Sequence, residues 1–207
     1  MFGAAATSDQ MQAIESIIQQ ASQKYNVSVN LIKAIIQTES GWNVTAYRWE
    51  PSLNDASMGL MQILLSTAKW QSGNQNLTQQ DLNNPAINID IGTKYLAYLM
   101  GKYGSTSLDA VISAYNGGHP LQIASGGFVN QDYVDKVNRY KTVYDNVANV
   151  ALAQTAADTM AVFTGGSEAG DSGSGTIMML LAGGILLVDI FNAARRHGPP
   201  SRRRRSR

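Results

Sequence analysis

Residues 28–41 read Ser-Val-Asn-Leu-Ile-Lys-Ala-Ile-Ile-Gln-Thr-Glu-Ser-Gly, and this stretch decides which fold we expect. Its apolar residues recur with the three-and-four spacing of an amphipathic helix, at Leu31, Ile32, Ile35 and Ile36. Ser28 suits the N-cap of such a helix, and Gly41 is a typical stop signal. The pattern predicts a helix that packs on a core and carries Glu39 near its C-terminal end.

The sequence on either side of this stretch predicts a mainly α protein, with at most a small β-hairpin. Similar periodicity or helix-start signals predict five more helices, over 9–25, from near Ser66, over 85–100, over 107–116, and from Gln131 to about Ala161. Residues 41–58 are irregular and rich in Asn, Ser and aromatic residues, so any hairpin is expected there. Residues 73–84 are expected to form a polar loop.

The C-terminal quarter of the chain differs in composition from the rest. Residues 164–175 are dominated by Gly and Ser and predict a flexible linker after a domain over 1–163. Residues 177–188 are an uninterrupted run of apolar or small residues, and extension to 176–194 predicts a transmembrane helix. Arginines in 195–207 then suit the cytoplasmic side of a membrane. The alternative is an apolar helix that packs on a partner protein.

Composition and charge exclude several classes of function. The 207 residues include no cysteine and only two histidines, so we expect no metal site, no cofactor and no Ser-His triad. Seven of the 16 basic residues lie in 192–207, which leaves nine against all 15 acidic residues and a net charge of −6 over 1–191. A nucleic-acid-binding domain is therefore not expected, although the basic tail alone can contact nucleic acid electrostatically. The N-terminus has neither a basic region nor an apolar run of the kind found in signal peptides.

Three short motifs carry the chemistry. They are Glu39-Ser40, Gly-Leu-Met-Gln-Ile at 59–63, and Ala-Tyr-Asn at 114–116. In this order the chain resembles the soluble lytic transglycosylases, relatives of goose-type lysozyme, over about 22–145. Further matches lie at Tyr25-Asn26-Val27, Ser66-Thr67-Ala68, Leu82-Asn83-Asn84-Pro85, Asn88-Ile89, Tyr95-Leu96 and Tyr133-Val134.

The resemblance implies a lysozyme-like fold and cleavage of peptidoglycan glycan strands. It implies that Glu39 is the catalytic acid and then the base, so that a 1,6-anhydro end forms and no water is consumed. The residues that it implies in substrate binding are Ser40, Ser57, Met61, Gln62, Tyr115 and Asn116. A carboxyl group donates a proton near neutral pH only if its pKa is raised, and the apolar helix before Glu39 offers such a setting. Met61 is expected to pack beneath the cleft.

The segment between Glu39 and Gly59 is longer than in many members of that family. It contributes Glu50 and Asp55, and a second carboxylate in the cleft would permit true hydrolysis. The simpler interpretation pairs Glu50 with Arg48 at the cleft edge and uses Asp55 or Asn54 to cap a turn. The aromatic residues Tyr47 and Trp49 either stack on sugar faces or serve only to pack the loop onto the fold. His119 either contacts substrate at one end of the cleft or lies in a solvent-exposed loop, and the second is the simpler expectation.

Two functional hypotheses follow from these observations. The first is a lytic transglycosylase at a membrane or in a phage particle, opening the cell wall locally for passage of the phage genome, with the enzyme on the periplasmic side. The second is a non-catalytic glycan-binding component of a virion or secretion complex.

Overall fold

A computed structural model describes residues 8–164, with side chains through residue 155. The predicted linker at 164–175 begins at the last of these residues, and the predicted transmembrane helix at 176–194 and basic tail at 195–207 lie outside them. Among the described helices, none has both the length and the apolar character required to cross a membrane.

The N-terminal part of the fold consists of two helices, α1 (Ser8–Tyr25) and α2 (Val29–Glu39). Both were predicted, because each carries a regular apolar stripe. Ser28 occupies the N-cap of α2 but makes no side-chain capping bond there. The stripe of α2 is fully buried, and Ile32, Ile35 and Ile36 have no exposed surface. Burial of these side chains fixes how the helix lies, and so fixes the position of Glu39 at its end.

A small antiparallel sheet follows α2, with strands in the order β1-β2-β3. Its strands are β1 (Tyr47–Glu50), β2 (Asp55–Met58) and β3 (Ile63–Leu64). The hairpin β1–β2 lies within the segment where it was expected, but β3 was not predicted. Opposed residues of an antiparallel pair lie on the same face, so the pairing of Arg48 with Ser57 places both on one face of the hairpin.

The remaining helices complete the core. They are α3 (Leu65–Ser72), α4 (Pro85–Tyr103), α5 (Leu108–Gly117) and α6 (Gln131–Thr164), with a 3-10 turn at Asp81–Asn83 before α4. Among them, α3 and α4 contact the sheet. Asn84 caps α4 by accepting a hydrogen bond from the Ala86 amide, and Ser107 caps α5 through the Ala110 amide. The mainly helical fold with a small sheet agrees with the prediction. The chain divides into two compact units at Ala156, and the description that follows concerns the first.

Asn88 on α4 holds the loop that carries the Gly-Leu-Met-Gln-Ile motif. Its fully buried amide donates to the carbonyl oxygens of Met58 and Leu82, at 2.9 Å each, and accepts from the Met61 amide at 2.8 Å. Gly59 has a φ of +70°, and a Cβ there would lie 2.4 Å from Asn88 Nδ2. Only glycine lets the loop approach this amide so closely.

Candidate active site

Glu39 lies at the C-terminal end of α2, at the edge of a cleft that also borders the sheet. Its side chain is only partly exposed, and burial of the carboxyl group is the largest influence on its pKa, which is raised. A carboxylate at this end also meets the negative pole of the helix dipole, which favours the protonated form. Glu39 is thus placed to hold a proton at a pH where an exposed glutamate has lost it.

Helix α6 supplies the nearest partner of this carboxyl group. The Tyr133 hydroxyl donates a hydrogen bond to Glu39 Oε1 at 2.6 Å. Within the part of the chain that the structure describes, no hydrogen bond reaches Oε2. Lys136, one turn further on, donates to the Thr38 carbonyl at 3.2 Å. Both Tyr133 and the Lys136 charge lower the pKa of Glu39, but the effect of burial is larger.

Strand β1 places an ion pair in the same cleft. Arg48 Nε lies 2.6 Å from Glu50 Oε1, and the Ser57 hydroxyl donates to that same oxygen at 3.2 Å. All three side chains line the cleft with Glu39. The Arg48 charge lowers the pKa of Glu39, whereas the Glu50 charge raises it. The expected pairing of Glu50 with Arg48 is confirmed.

The loop between β2 and β3 is attached to two helices at its backbone. The Ser40 hydroxyl donates to the Leu60 carbonyl at 2.8 Å, and the Tyr115 hydroxyl donates to the Met61 carbonyl at 2.9 Å. Gln62, at a φ of +46°, donates to the carbonyls of Ala46 and Gly59, both at 3.0 Å. These bonds fix the loop against α2, α5 and the start of the hairpin.

The predicted substrate-binding residues divide into two groups by position. Ser57, Gln62, Tyr115 and Asn116 line the cleft, whose cavity has a volume of about 140 Å³. Met61 has no exposed surface and packs on Gly92, where a Cβ would lie 2.5 Å from its sulfur. Ser40 is outside the cleft lining, and its hydroxyl is engaged with backbone carbonyls. Met61 and Ser40 therefore lie behind the wall of the cleft in this structure and support the residues that line it.

Asp55 has a structural role rather than a place in the cleft. Its carboxylate accepts from the amides of Ala56 at 2.7 Å and Ser66 at 2.9 Å, so it caps the start of α3. Burial raises the pKa of Asp55, but hydrogen bonds from Ser66 and Ala56 outweigh it, and the net pKa is lowered. Asp55 or Asn54 was expected to cap a turn, and the structure shows that Asp55 instead caps the start of a helix.

The sequence allows more than one role for Tyr47, Trp49 and His119. Tyr47 and Trp49 alternate with Arg48 along β1, so they lie on the opposite face of the hairpin. They are 59% and 47% exposed and are not among the residues that line the cleft. His119 is exposed, as expected.

Tyr133, Tyr95 and Thr67 had no predicted function, although Tyr133 contacts Glu39 and the other two line the cleft. Tyr133 is separated from Glu39 by 94 positions, and no local pattern links a tyrosine on one helix to a glutamate on another. The neighbourhoods of Tyr95 and Thr67 matched the family pattern, but the match carried no role. Among residues 8–164, no cluster of three or more acidic, His or Cys side chains is placed to bind a metal ion.

Comparison with known proteins gives one family match. The sequence pattern of the family described as Transglycosylase SLT domain matches residues 16–124. Among solved structures, an inactive glutamate-to-glutamine mutant of the lytic transglycosylase Slt from Pseudomonas aeruginosa has a TM-score of 0.53 and 21% identity, over 65% of this chain and 24% of that chain. This likeness supports the fold.

Two further solved structures share less of their geometry with this chain. The 70 kDa soluble lytic transglycosylase of Escherichia coli gives a TM-score of 0.42 and 23% identity, over 61% of this chain and 18% of that chain. A complex of the 70-kDa soluble lytic transglycosylase with bulgecin A gives 0.46 and 21%, over 63% and 24%. This chain therefore spans about a quarter or less of the length of the three solved proteins.

Proposed function

This chain belongs to the Transglycosylase SLT domain family, and from that membership we propose that it is a peptidoglycan lytic transglycosylase. The bond that it cleaves is the β-1,4 linkage between N-acetylmuramic acid and N-acetylglucosamine. The product carries a 1,6-anhydro end.

The observation that carries this proposal is the environment of Glu39. Burial raises the pKa of its carboxyl group, Tyr133 binds one of its oxygens, and the group borders an open cleft. A general acid needs to be protonated at working pH and within reach of the leaving oxygen. Oε2, which accepts no hydrogen bond from the described residues, is the oxygen that we assign to proton transfer.

The proposed reaction uses this one carboxyl group twice. Protonated Glu39 gives its proton to the glycosidic oxygen as the bond from that oxygen to C1 of the muramic acid breaks. The resulting carboxylate then accepts the proton of the C6 hydroxyl of the same sugar, as O6 forms a bond to C1. The proton returns to Glu39, no water is consumed, and the enzyme is ready for another cycle.

The cleft residues supply contacts to the sugar in this proposal. Ser57, Gln62 and Asn116 present polar side chains toward the cavity, and Tyr115 presents a ring. The Asn116 amide oxygen accepts from Asn130 at 3.0 Å, which fixes the orientation of the amide. The same contact sets the direction of the Asn116 NH2 group, which can donate a hydrogen bond to an acceptor such as the N-acetyl carbonyl of the sugar.

Digestion of purified sacculi followed by mass analysis of the products tests the proposal. Anhydro ends are expected from the wild-type protein, and Glu39→Gln should abolish their release because the amide cannot donate the proton. Asp55→Asn is a suitable control, since Asp55 caps a helix outside the cleft. Cleavage that survives Glu39→Gln would refute the assignment, and binding without cleavage by the wild type would favour a glycan-binding role.

Hydrolysis is the second candidate, and Glu50 is the observation that favours it. Glu50 is a second carboxylate in the cleft, the arrangement that hydrolytic glycosidases use. Its Oε1 is, however, bound by both Arg48 and Ser57, which favours a fixed structural charge over a base that activates water. Reducing ends in place of anhydro ends, lost in Glu50→Gln, would establish hydrolysis.

The biological setting is a separate part of the proposal. The apolar run at 177–188, within the predicted helix at 176–194, and the arginines at 195–207 support attachment to a membrane or a virion, with the enzyme acting on the wall during passage of a phage genome. Fractionation of cells that express the full chain, or a chain without 176–207, tests the attachment. Equal amounts of the two proteins in the membrane fraction would contradict it.

A further inference from the structure

A row of aromatic side chains runs from the cleft to the protein surface. Tyr115 on the cleft wall lies 5.6 Å from Tyr95, between ring centroids, and Tyr95 lies 6.4 Å from Tyr98 with the two rings nearly parallel. Trp70 stands edge-on to Tyr98 at 4.9 Å and to Tyr95 at 6.4 Å. We call Tyr95, Tyr98 and Trp70 the aromatic ridge.

The exposure of the ridge increases with distance from the cleft. Tyr115 is 8% exposed, whereas Tyr98 is 42% and Trp70 is 55% exposed. Burying an aromatic side chain of this size is strongly favourable, so a tryptophan left half in water has a large unused contact area. Contiguous exposed apolar surface next to a cleft is typical of a binding site.

Helix geometry explains why the ridge continues the cleft. Thr67 and Trp70 are three residues apart on α3, and Tyr95 and Tyr98 are three residues apart on α4. Residues at this spacing lie on the same face of a helix, one turn apart. Thr67 and Tyr95 both line the cleft, so Trp70 and Tyr98 are the next positions outward along the two helices.

We propose that the exposed end of the ridge, Trp70 with Tyr98, is a stacking platform for a sugar ring of the glycan strand beyond the catalytic cleft. This inference rests on the proposed function, which makes the ligand a long polysaccharide that must extend past the cavity. The face of an aromatic ring is electron-rich, and the C–H-bearing face of a pyranose is its complement. Lys102 lies 5.9 Å from the centre of the Tyr98 ring and adds a positive charge that suits the carboxylates of the peptide stems.

A binding experiment separates this inference from the catalytic proposal. All variants are made in the Glu39→Gln background, where cleavage is not required, and cosedimentation with purified sacculi measures binding. Trp70→Ala should bind about tenfold more weakly than the parent, the factor that corresponds to loss of about 1.4 kcal/mol of contact. Trp70→Phe, which keeps a flat ring, should retain most of the binding.

Trp49→Ala is the matched control, because Trp49 is a half-exposed tryptophan on the hairpin face that does not line the cleft. It should bind as the parent does, with all variants equally resistant to thermal unfolding. Unchanged binding by Trp70→Ala, equal losses in the alanine and phenylalanine variants, or an equal loss in Trp49→Ala would each overturn the platform.

The length of the glycan substrate gives a second readout, measured with the catalytically active protein. Trp70→Ala should raise the KM for long glycan strands and leave kcat unchanged, while a short fragment that fills only the cleft should be cleaved as by the wild type. Equal losses on both substrates would instead indicate damage to the catalytic site and contradict the platform. If the wild type cleaves neither substrate while binding to sacculi still depends on Trp70, the catalytic proposal fails and the platform stands.

Discussion

In the proposed mechanism, Glu39 has to remain protonated at a pH where solvent favours its ionised form. Because burial raises its pKa, the folded protein binds more protons than the unfolded chain over the interval from the ordinary pKa of 4.5 up to the raised value. Stability from this residue is therefore lost as pH rises through that interval. A glutamine at the same position carries no such penalty.

We expect Glu39→Gln to be more stable than the wild type near pH 7, by roughly 0.5–2 kcal/mol, as is common where activity requires an unfavourable group. The gain should shrink as pH falls to 4 and below, where the carboxyl group is protonated in both the folded and unfolded states. Chemical denaturation of the two proteins at several pH values measures the difference. A glutamine variant that is less stable at neutral pH would show that the carboxylate is favoured where it lies.

Tyr133 acts on the protonation of Glu39 in the direction opposite to burial. Its hydrogen bond lowers the pKa of Glu39, so Tyr133→Phe should raise that pKa further. Activity that needs the protonated acid should then persist to higher pH, so the alkaline limb of the kcat/KM profile should shift to higher pH. Tyr140→Phe, on the same helix and without a contact to Glu39, is the control. A limb that does not move, or moves downward, would show that the hydroxyl does not act on this carboxyl group.

At the scale of elements, the helices were predictable because their apolar stripes have a period that matches their geometry. Strand β3 was missed because two residues are too few to show an alternating pattern. Helix α4 continues beyond its predicted end at Met100, through Gly101, and ends at Tyr103. A glycine inside a helix costs only about 1 kcal/mol, which is less than the packing of the following turn can supply. Contacts between elements, such as Tyr133 with Glu39, have no counterpart in a local pattern.

Asn88 shows how an element outside the cleft maintains the site. Replacement by alanine leaves the Met61 amide and the carbonyls of Met58 and Leu82 without this partner, in a place that water does not reach. Each lost bond to a buried group costs about 1–3 kcal/mol, so Asn88→Ala should lower the free energy of unfolding by about 3 kcal/mol or more. Thermal and urea unfolding measure it, with the exposed Asn83→Ala as a control. A loss no larger than that of the control would show that the loop does not depend on this amide.

On the scale of the whole molecule, charge is divided unevenly along the chain. Residues 1–191 carry a net charge of −6, and residues 192–207 carry seven arginines. Peptidoglycan, the proposed substrate, bears carboxylates, so we expect it to repel the larger part of the chain and to attract the basic tail. Salt at 0.1 M screens such forces beyond about 10 Å.

Deletion of 195–207, which contains all seven arginines, should therefore reverse the response of sacculus binding to salt. The truncated protein should bind better as ionic strength rises, because repulsion is screened, whereas the full chain should bind less well as its attraction is screened. Cosedimentation over a range of salt concentrations measures both. The same response from the two proteins would show that the tail charges do not act on the wall.

The contact between Tyr133 and Glu39 also bears on how gene fragments of this kind are chosen for expression. The family match ends at residue 124, before the first residue of α6. A fragment trimmed to those borders keeps Glu39, Gln62 and Tyr115, and the three motifs that carry the chemistry are all present in it. It nevertheless lacks Tyr133, whose hydroxyl group contacts the Glu39 carboxyl group. The limits of a family match therefore do not mark the limits of the candidate site.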